Sequence, residues 1–246
     1  KLLNALEFKE IIIPPAPHDA GCAVGAALCS DNNSRDYKSI RSPYQGREFS
    51  NEDVGSLISN NTDLVFNQIP TEELITQTAE IIASGKLVAW FQGRSEFGPR
   101  ALGARSFLAD PRSDQIRDEI NRKIKKRELF RPFAPSVTKE YASEYFDLNQ
   151  ESPYMNIVAK VLSNNIPAVT HTDLTARVHT VSSRSNPKYH ALLERFGELT
   201  GVPVLLNTSF NIQEPIVYSP ENAIATFKNS GVDHLIIENF LVSRAI

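Results

Sequence analysis

The 246-residue sequence predicts a mixed α/β protein in which helices flank an open sheet. Short apolar runs of strand length, such as residues 87–91 and 202–206, are bounded by turn-forming residues. They alternate with amphipathic stretches of helical period, of which residues 71–82 and 187–200 are the clearest. This alternation is typical of the α/β class, in which helices cover the faces of a sheet.

The first 30 residues are predicted to be the end of a separate α/β unit. Its expected elements are a helix end over 2–8, a strand over 10–13, a proline-rich loop over 14–21 and a helix from Cys22 to Ser30. In the loop, His18 and Asp19 could bind a metal ion or cap the helix that follows, and for an isolated His-Asp pair we favour the cap.

Residues 31–69 are polar and rich in Ser, Asn and Asp, with little periodicity. They are predicted to form a surface linker that contains a short helix near 51–59 and a strand near 63–67. A second unit, residues 70–246, then begins with Thr71 as the predicted N-cap of a helix.

The later elements of this second unit follow from the same patterns. The predicted strands are 87–91, 107–109, 134–138, 154–161, a segment entered from the 171–180 loop, 202–206, 234–237 and 240–242. The predicted helices run from Asp110 or Ser113 to about 126, over 139–145, over 187–200, and from Ser219 with Pro220 as first residue.

The composition is that of an ordinary globular protein, with 41% hydrophobic and 22% charged residues. No apolar run reaches the roughly 18 residues that a membrane helix needs, so no membrane partner is expected. Cys22 and Cys29 are interpreted as small packing residues, which favours a reducing cytoplasm. Because Lys1 falls within a structured pattern, the chain is expected to be part of a longer protein.

A loop after the strand at 87–91 carries the strongest functional signal. Residues 91–106, FQGRSEFGPRALGARS, contain three glycines and a proline, which exclude a regular helix. Arg94, Arg100 and Arg105 supply three positive charges, and guanidinium groups match phosphate or carboxylate oxygens two at a time. The pattern predicts an anion site; the alternative is a surface loop with solvated arginines.

The charge distribution supports a small anionic ligand. The net charge is −3, yet residues 92–131 hold eleven Lys or Arg against six Asp or Glu. A basic segment within an acidic chain favours a focused site over a nucleic-acid surface. The sequence also lacks CxxC, HExxH, GxSxG and Walker motifs, so we expect the substrate to supply the nucleophile while the protein stabilises charge.

Several long motifs, in order, resemble the O-carbamoyltransferase family of nodulation-factor and antibiotic-tailoring enzymes. They are the 91–105 loop followed by Asp110-Pro111-Arg112, the RELFRPFAP run at 127–135, Thr170-His171 with TARV at 175–178, and GVPVLLNTSFN at 201–211. The resemblance implies a YrdC-like twisted open sheet with flanking helices over 70–246. Residues 1–30, with PAPHDAG at 15–21, resemble the end of an actin-like ATPase domain.

The resemblance implies a two-step reaction. The C-terminal half would form carbamoyl-adenylate from carbamoyl phosphate and ATP, accompanied by Mg²⁺. The actin-like half would pass the carbamoyl group to a hydroxyl acceptor, a sugar or natural product, at an iron ion whose ligands include an aspartate matching Asp19. The other iron ligands would precede Lys1, so the metal site is expected to be incomplete here. The oligomeric state is left open, with a homodimer as one option.

The family motifs also imply roles for individual residues. Arg100, Lys125, Arg131 and Arg177 are predicted to be catalytic through the phosphate groups. The predicted substrate and nucleotide contacts are Arg94, Gly98, Arg105, Ser106, Asn207, Ser209 and Asn211. One departure is that the family's Asn-x-x-Gly-Glu-Pro reads Asn211-Ile212-Gln213-Glu214-Pro215, so the turn is expected to be one residue tighter.

Two other functions are weighed. A threonylcarbamoyl-adenylate synthase acting in tRNA modification would share the fold, but the actin-like tail and the carbamoyltransferase motifs argue against it. A non-catalytic RNA-binding module would use the basic cavity. The acidic flanks and the lack of interleaved exposed aromatic residues argue against that, so nucleic acid is not an expected partner.

Overall fold

The computed structural model describes residues 11–30 and 42–245 and contains a ten-stranded mixed sheet with helices on both faces. The strands are β1 (Leu64–Gln68), β2 (Val88–Phe91), β3 (Arg105–Ala109), β4 (Ala134–Thr138), β5 (Phe146–Asp147), β6 (Ile157–Val161), β7 (Thr175–Val181), β8 (Val204–Ser209), β9 (His234–Ile237) and β10 (Phe240–Arg244). Their order is β1-β10-β9-β2-β3-β8-β4-β7-β6-β5. The predicted α/β class is confirmed.

The helices lie between these strands along the chain. They are α1 (Asp19–Ser30), α2 (Asn51–Ser59), α3 (Thr71–Ala83), α4 (Asp114–Glu119), α5 (Ala142–Tyr145), α6 (Pro187–Thr200) and α7 (Pro220–Asn229). A π-helical turn, Ile120–Ile124, continues α4, and 3₁₀ turns occupy Lys139–Tyr141 and Pro167–Val169. Strands β2 and β9 are parallel, as are β4 and β7, while the other neighbours are antiparallel.

Alternate residues of the central strands enter two separate hydrophobic cores. On one face Trp90 and Leu205 pack with the apolar sides of α3 and α6. On the other face Phe91 and Phe107 pack with α2, α4 and α7. Because both faces are covered, the polar groups that remain available to a ligand lie at the strand ends and in the loops that follow them.

Helix α6 has both predicted ends, and helix α7 has the predicted beginning. Helix α6 begins at Pro187, and the side chain of Asn186 accepts a hydrogen bond from the backbone N–H of Tyr189. It ends at Gly201, whose φ of 75° suits a residue without Cβ. Helix α7 begins at Pro220, and Ser219 caps it as predicted. In α3 the prediction was off by one residue, because Pro70 is the N-cap and Thr71 is already helical.

The predicted linker extends too far toward the C-terminus. Strand β1 pairs along its full length with β10, and Val54 and Ile58 of α2 are fully buried in the core. Residues 51–69 are therefore part of the packed sheet domain, because their apolar side chains cover the sheet. Residues 31–41, like the helix end predicted at 2–8, lie outside the described residues.

Two predictions near the N-terminus differ from the structure. Residues 11–13 are not in a strand; instead the backbone of Ile11 exchanges two hydrogen bonds with the side-chain amide of Gln150. Cys22 and Cys29 are exposed free thiols on α1 and not packing residues. Within the part of the chain that is described, no helix has the length and apolarity to cross a membrane. The cytoplasmic location and the homodimer stay predictions.

Candidate functional site

The arginine loop connects the adjacent antiparallel strands β2 and β3, in which Phe91 is paired with Arg105. Distant parts of the chain donate hydrogen bonds to consecutive carbonyl groups of this loop. The Asn207 side chain donates to Ala101 O at 3.1 Å, and the Tyr44 hydroxyl donates to Leu102 O at 2.8 Å. The Trp90 indole donates to Gly103 O at 3.0 Å. These anchors give the loop a defined shape without a bound ligand.

One carboxylate accepts hydrogen bonds from several backbone N–H groups of the loop. Glu96 Oε1 accepts from Leu102 N and Ala104 N at 2.7 Å each and from Arg105 N at 3.2 Å. These three amides are bonded to Glu96, so they are not free donors for a ligand.

Arg105 and Ser106 are interior residues and not surface groups. The Arg105 side chain is fully buried, with its guanidinium carbon 3.5 Å from the centre of the Phe91 ring. It donates to Gln92 O at 3.0 Å, Ala104 O at 2.9 Å and Gly93 O at 2.8 Å. Burial lowers the pKa of Arg105 to about 10, and the carboxylates of Glu96 and Glu238 act against that shift.

Through these contacts Arg105 stabilises the conformation of the loop. Ser106 has a similar position, because its buried hydroxyl accepts from Gly103 N at 3.1 Å. Neither Arg105 nor Ser106 exposes its side chain, so the structure gives no support to the prediction that they contact the substrate.

The other loop residues of the predicted site are closer to solvent. Arg94 is exposed, and its Nε donates to Gly46 O at 3.0 Å. Gly98 has a φ of 142°, and a Cβ there would lie 2.7 Å from Pro15 O, so this position needs glycine for close approach and not for ligand contact. Arg100 is exposed at the tip of the loop.

Arg177, on β7, shares an electrostatic environment with Arg100. Desolvation, and after it the charge of Arg100, lowers the pKa of Arg177 to about 10. Its Nη2 lies 3.7 Å from Met155 Sδ, and its buried Nε has no hydrogen-bond partner in the described structure. The fold thus brings together two cations that are far apart in sequence, and an anion between them would relieve their repulsion.

Lys125 follows the π-helical turn, which directs its side chain to the end of β8. Only 6% of the residue is exposed. Its Nζ donates to Ser209 O at 2.6 Å, Asn211 O at 2.8 Å, Asn211 Oδ1 at 2.9 Å and Ser209 Oγ at 3.3 Å. Burial, with the nearby charge of Arg127, lowers the pKa of Lys125 to about 7. The structure therefore brings together three predicted site residues, Lys125, Ser209 and Asn211.

Asn121 organises the basic segment after the π turn and was missed in the sequence analysis. Its buried Nδ2 donates to Arg131 O at 2.9 Å and to Leu129 O at 3.3 Å, and its Oδ1 accepts from Arg127 Nε at 2.7 Å. Arg131 is exposed and forms an ion pair with Glu128 at 2.9 Å. An asparagine among the isoleucines of a buried helical face was the available signal.

Asn207 lies beneath the arginine loop in a buried polar cluster. Its Nδ2 donates to Ser136 Oγ at 2.9 Å as well as to Ala101 O, while its Oδ1 is buried without a partner among the described residues. Ser136 Oγ is in turn 2.8 Å from His179 Nδ1, and complete burial lowers the pKa of His179 to about 3, so this imidazole is neutral. Ser136 and His179 were not predicted, since neither belongs to a local motif.

Strand β8 joins the two halves of the site. Asn207 holds the backbone next to Arg100, and Ser209, two residues later on the same face, bonds Lys125. Beyond them the shortened turn is closed by Glu214, whose carboxylate accepts from Ile212 N and Gln213 N, each at 3.0 Å.

Two pockets adjoin the segments that carry the cationic groups. One, of about 840 Å³, is lined by the proline-rich loop, α1 and Phe97, and it adjoins the arginine loop. The other, of about 490 Å³, lies between Arg117, Phe130 and His171, close to the basic segment. None of the predicted cations Arg94, Arg100, Lys125, Arg131 and Arg177 lines either pocket.

The described residues around Asp19 do not fit an iron site. Asp19 is exposed at the start of α1, and His18 Nδ1 accepts from Ala20 N at 3.1 Å, as expected of a capping residue. Within 11–30 and 42–245, no group of three or more His, Cys, Asp or Glu side chains could hold a metal ion. No step of the chemistry is therefore assigned to a metal at Asp19.

Comparisons with known proteins identify the family of the chain. Residues 79–244 match the family described as Carbamoyltransferase C-terminus. Nodulation protein NolO of Bradyrhizobium diazoefficiens is 44% identical over 99% of this chain and 46% of its own length. The chain thus spans a little under half the length of this relative.

Solved structures share the fold at low sequence identity. Escherichia coli YciO has a TM-score of 0.51 and 21% identity, covering 69% of this chain and 79% of that one. Full-length HypF, solved in a phosphate- and nucleotide-bound form, has a TM-score of 0.50 and 20% identity, covering 68% and 25%. These likenesses confirm the predicted YrdC-like sheet. From its motifs, and from the match over residues 79–244, the chain belongs to the O-carbamoyltransferase family, whose C-terminal domain it contains.

Proposed function

We propose that this domain forms carbamoyl-adenylate from carbamoyl phosphate and ATP, which the complete enzyme uses to carbamoylate a hydroxyl group on a sugar or natural product. The observation that carries the proposal is that the loop bearing Arg100 packs beside Arg177, since Leu102 packs with Met155 and the Met155 Sδ lies 3.7 Å from Arg177 Nη2. The charge of Arg100 also contributes to lowering the pKa of Arg177. Full-length HypF, whose fold is similar, was solved with phosphate and nucleotide bound, and this supports a phosphate ligand for the present domain.

Atom balance defines what the site must do. For carbamoyl phosphate to yield carbamoyl-adenylate, water attacks the carbonyl carbon, the C–O bond to the phosphate breaks, and inorganic phosphate leaves with the bridging oxygen, which gives carbamate and a proton. A carbamate oxygen then attacks the α-phosphorus of ATP, and pyrophosphate leaves. The nucleophiles are water and substrate, so the protein has to bind anions, bring them together and stabilise charge as it develops.

The cationic residues suit these tasks. The forked guanidinium groups of Arg100 and Arg177 would bind the phosphoryl oxygens of carbamoyl phosphate in pairs. Lys125 would exchange one of its oxygen acceptors at Ser209 or Asn211 for a phosphate oxygen, and the negative charge would stabilise its ammonium form. Arg94 and Arg131, both exposed, would meet the remaining phosphates of ATP, which carries Mg²⁺.

The direct test is release of pyrophosphate from ATP by the purified protein, measured with and without carbamoyl phosphate. We expect release to require carbamoyl phosphate and to fall at least tenfold in Arg100→Ala, because one bidentate contact is worth a few kcal/mol in the transition state. Arg184→Ala is the matched control, since Arg184 is an exposed arginine outside the site.

Two outcomes would contradict the proposal. Pyrophosphate release that requires threonine and bicarbonate instead of carbamoyl phosphate would identify a threonylcarbamoyl-adenylate synthase. Salt-sensitive RNA binding by a protein that binds no nucleotide would identify a nucleic-acid module.

A further inference from the structure

The arginine loop has an outgoing arm and a returning arm, and the segment 43–46 contacts both of them. The outgoing arm is attached through Gly46 N, which donates to Ser95 O at 3.0 Å, and through Phe97 N, which donates to Pro43 O at 2.6 Å. The returning arm is attached through its carbonyl groups at Ala101 and Leu102. The two arms are joined at their base, where Gln92 N donates to Ala104 O at 2.9 Å and the Arg105 guanidinium donates to Gln92 O and Gly93 O, and a further connection lies nearer the tip.

Glu96 makes that connection. Its side chain leaves the outgoing arm, and Oε1 accepts three hydrogen bonds from backbone N–H groups of the returning arm, at Leu102, Ala104 and Arg105. Gly103, with a φ of 87°, supplies the left-handed turn that lets amides on both sides of it face one oxygen. Such concave groups of N–H donors bind anions, and here the anion is part of the chain.

The residues enclosed by this connection are those that present Arg100. Gly98, Pro99 and Arg100 lie at the tip between the two arms, and both Pro99 and Arg100 are exposed. Leu102, two residues after Arg100, packs with Met155, whose Sδ lies 3.7 Å from Arg177 Nη2, so the loop lies beside β7. The charge of Arg100 is one of the causes that lower the pKa of Arg177. The direction of the tip depends on how the arms are joined next to it, and that contact is the one Glu96 makes with Leu102 and Ala104.

We infer that Glu96 is a positioning residue for anion binding: by filling the amide cluster of the loop, it fixes the tip so that Arg100 opposes Arg177. The carboxylate also supplies the acceptor charge that a ligand phosphate would otherwise bring, which keeps the loop closed before substrate binds. Hydrogen bonds from backbone N–H to a carboxylate are charge-assisted and stronger than those to a neutral amide oxygen. The catalytic part of this inference rests on the proposed function, whereas the closure of the loop does not.

The experiment separates these two parts with two readouts. Hydrogen–deuterium exchange of peptides covering 101–106 is compared in wild type, Glu96→Gln, Glu96→Ala and the control Glu48→Gln. Glu48 is an exposed carboxylate close to the same strand ends, so its variant matches the change in net charge. We expect the loop amides to exchange at least tenfold faster in Glu96→Ala, with a smaller increase in Glu96→Gln, which keeps a neutral acceptor, and none in the control.

The second readout is the pyrophosphate assay. In the Glu96 variants, KM for carbamoyl phosphate should rise at least tenfold, while KM for ATP changes less than threefold, because Arg100 is misplaced and the rest of the site is intact. If exchange and both KM values match wild type, Glu96 does not position the loop. If wild type itself releases no pyrophosphate, the proposed function fails, and exchange alone decides the role of Glu96.

Global stability distinguishes positioning from general folding. Each variant is also melted, and we expect Glu96→Gln to unfold cooperatively within a few degrees of wild type. If both Glu96 variants lose cooperative unfolding, the carboxylate is required for the fold as a whole and the inference is overturned. Equal increases in KM for carbamoyl phosphate and for ATP would overturn it as well.

Discussion

Arg100 and Arg105 lie five residues apart on one loop, and the structure predicts opposite consequences for their removal. Arg105→Ala deletes three hydrogen bonds from a buried guanidinium to the carbonyls of Gln92, Gly93 and Ala104. It also empties the space over the Phe91 ring. Arg100→Ala removes an exposed side chain at the tip of the loop.

The magnitudes follow from these contacts. A hydrogen bond from a charged group contributes about 1.5–3 kcal/mol, and the three carbonyls would remain buried without a donor. Since such contributions are not additive, we expect a loss of about 3–5 kcal/mol for Arg105→Ala, the range seen when one partner of a buried ionic network is removed. For a domain of this size, that loss of stability lowers Tm by roughly 6–20 °C. For Arg100→Ala we expect the free energy of unfolding to change by no more than about 0.5 kcal/mol.

Thermal melting and calorimetric titration with carbamoyl phosphate test the pair together. Arg105→Ala should melt well below wild type, and Arg105→Lys should recover part of the difference, because lysine keeps the charge but lacks the flat, forked group. Arg100→Ala should keep its Tm and lose at least tenfold in affinity. An Arg105→Ala protein that melts within 2 °C of wild type and no longer binds carbamoyl phosphate would refute the structural role of Arg105.

Two further predictions concern the basic segment. Because the pKa of Lys125 is lowered to about 7, we expect KM for carbamoyl phosphate to rise as pH increases through that value and the ammonium charge is lost, whereas Lys125→Arg should show a flat KM profile. Binding should therefore weaken above that pH while stability increases: the free energy of unfolding should rise with pH above about 7, since the unfolded chain there binds more protons at Lys125. A flat wild-type KM profile would contradict the first expectation. Asn121→Ala should cost about 1–3 kcal/mol by leaving its buried partners unbonded, measured by denaturant unfolding against the exposed control Asn165→Ala.

Much of the fold could be predicted because its signals are local. The ends of α6 and α7 follow from Asn186-Pro187 and Ser219-Pro220, whose capping bonds join residues three apart. Strands β2, β4 and β9 follow from short apolar runs between turns. The linker prediction failed where the deciding contact was distant, since β1 becomes part of the domain only by pairing with β10.

The candidate site also has some features that local sequence predicts and others that depend on contacts between distant segments. The sequence by itself determined the family and the segments that carry cations, and it predicted an anionic ligand, because these depend on residue type and order along the chain. Only the tertiary structure decided that Arg105 is buried while Arg100 reaches toward Arg177, and that Lys125 bonds residues more than 80 positions away. The reason is physical: the role of a charged side chain depends on its solvation and its partners, and both are set by packing between distant segments.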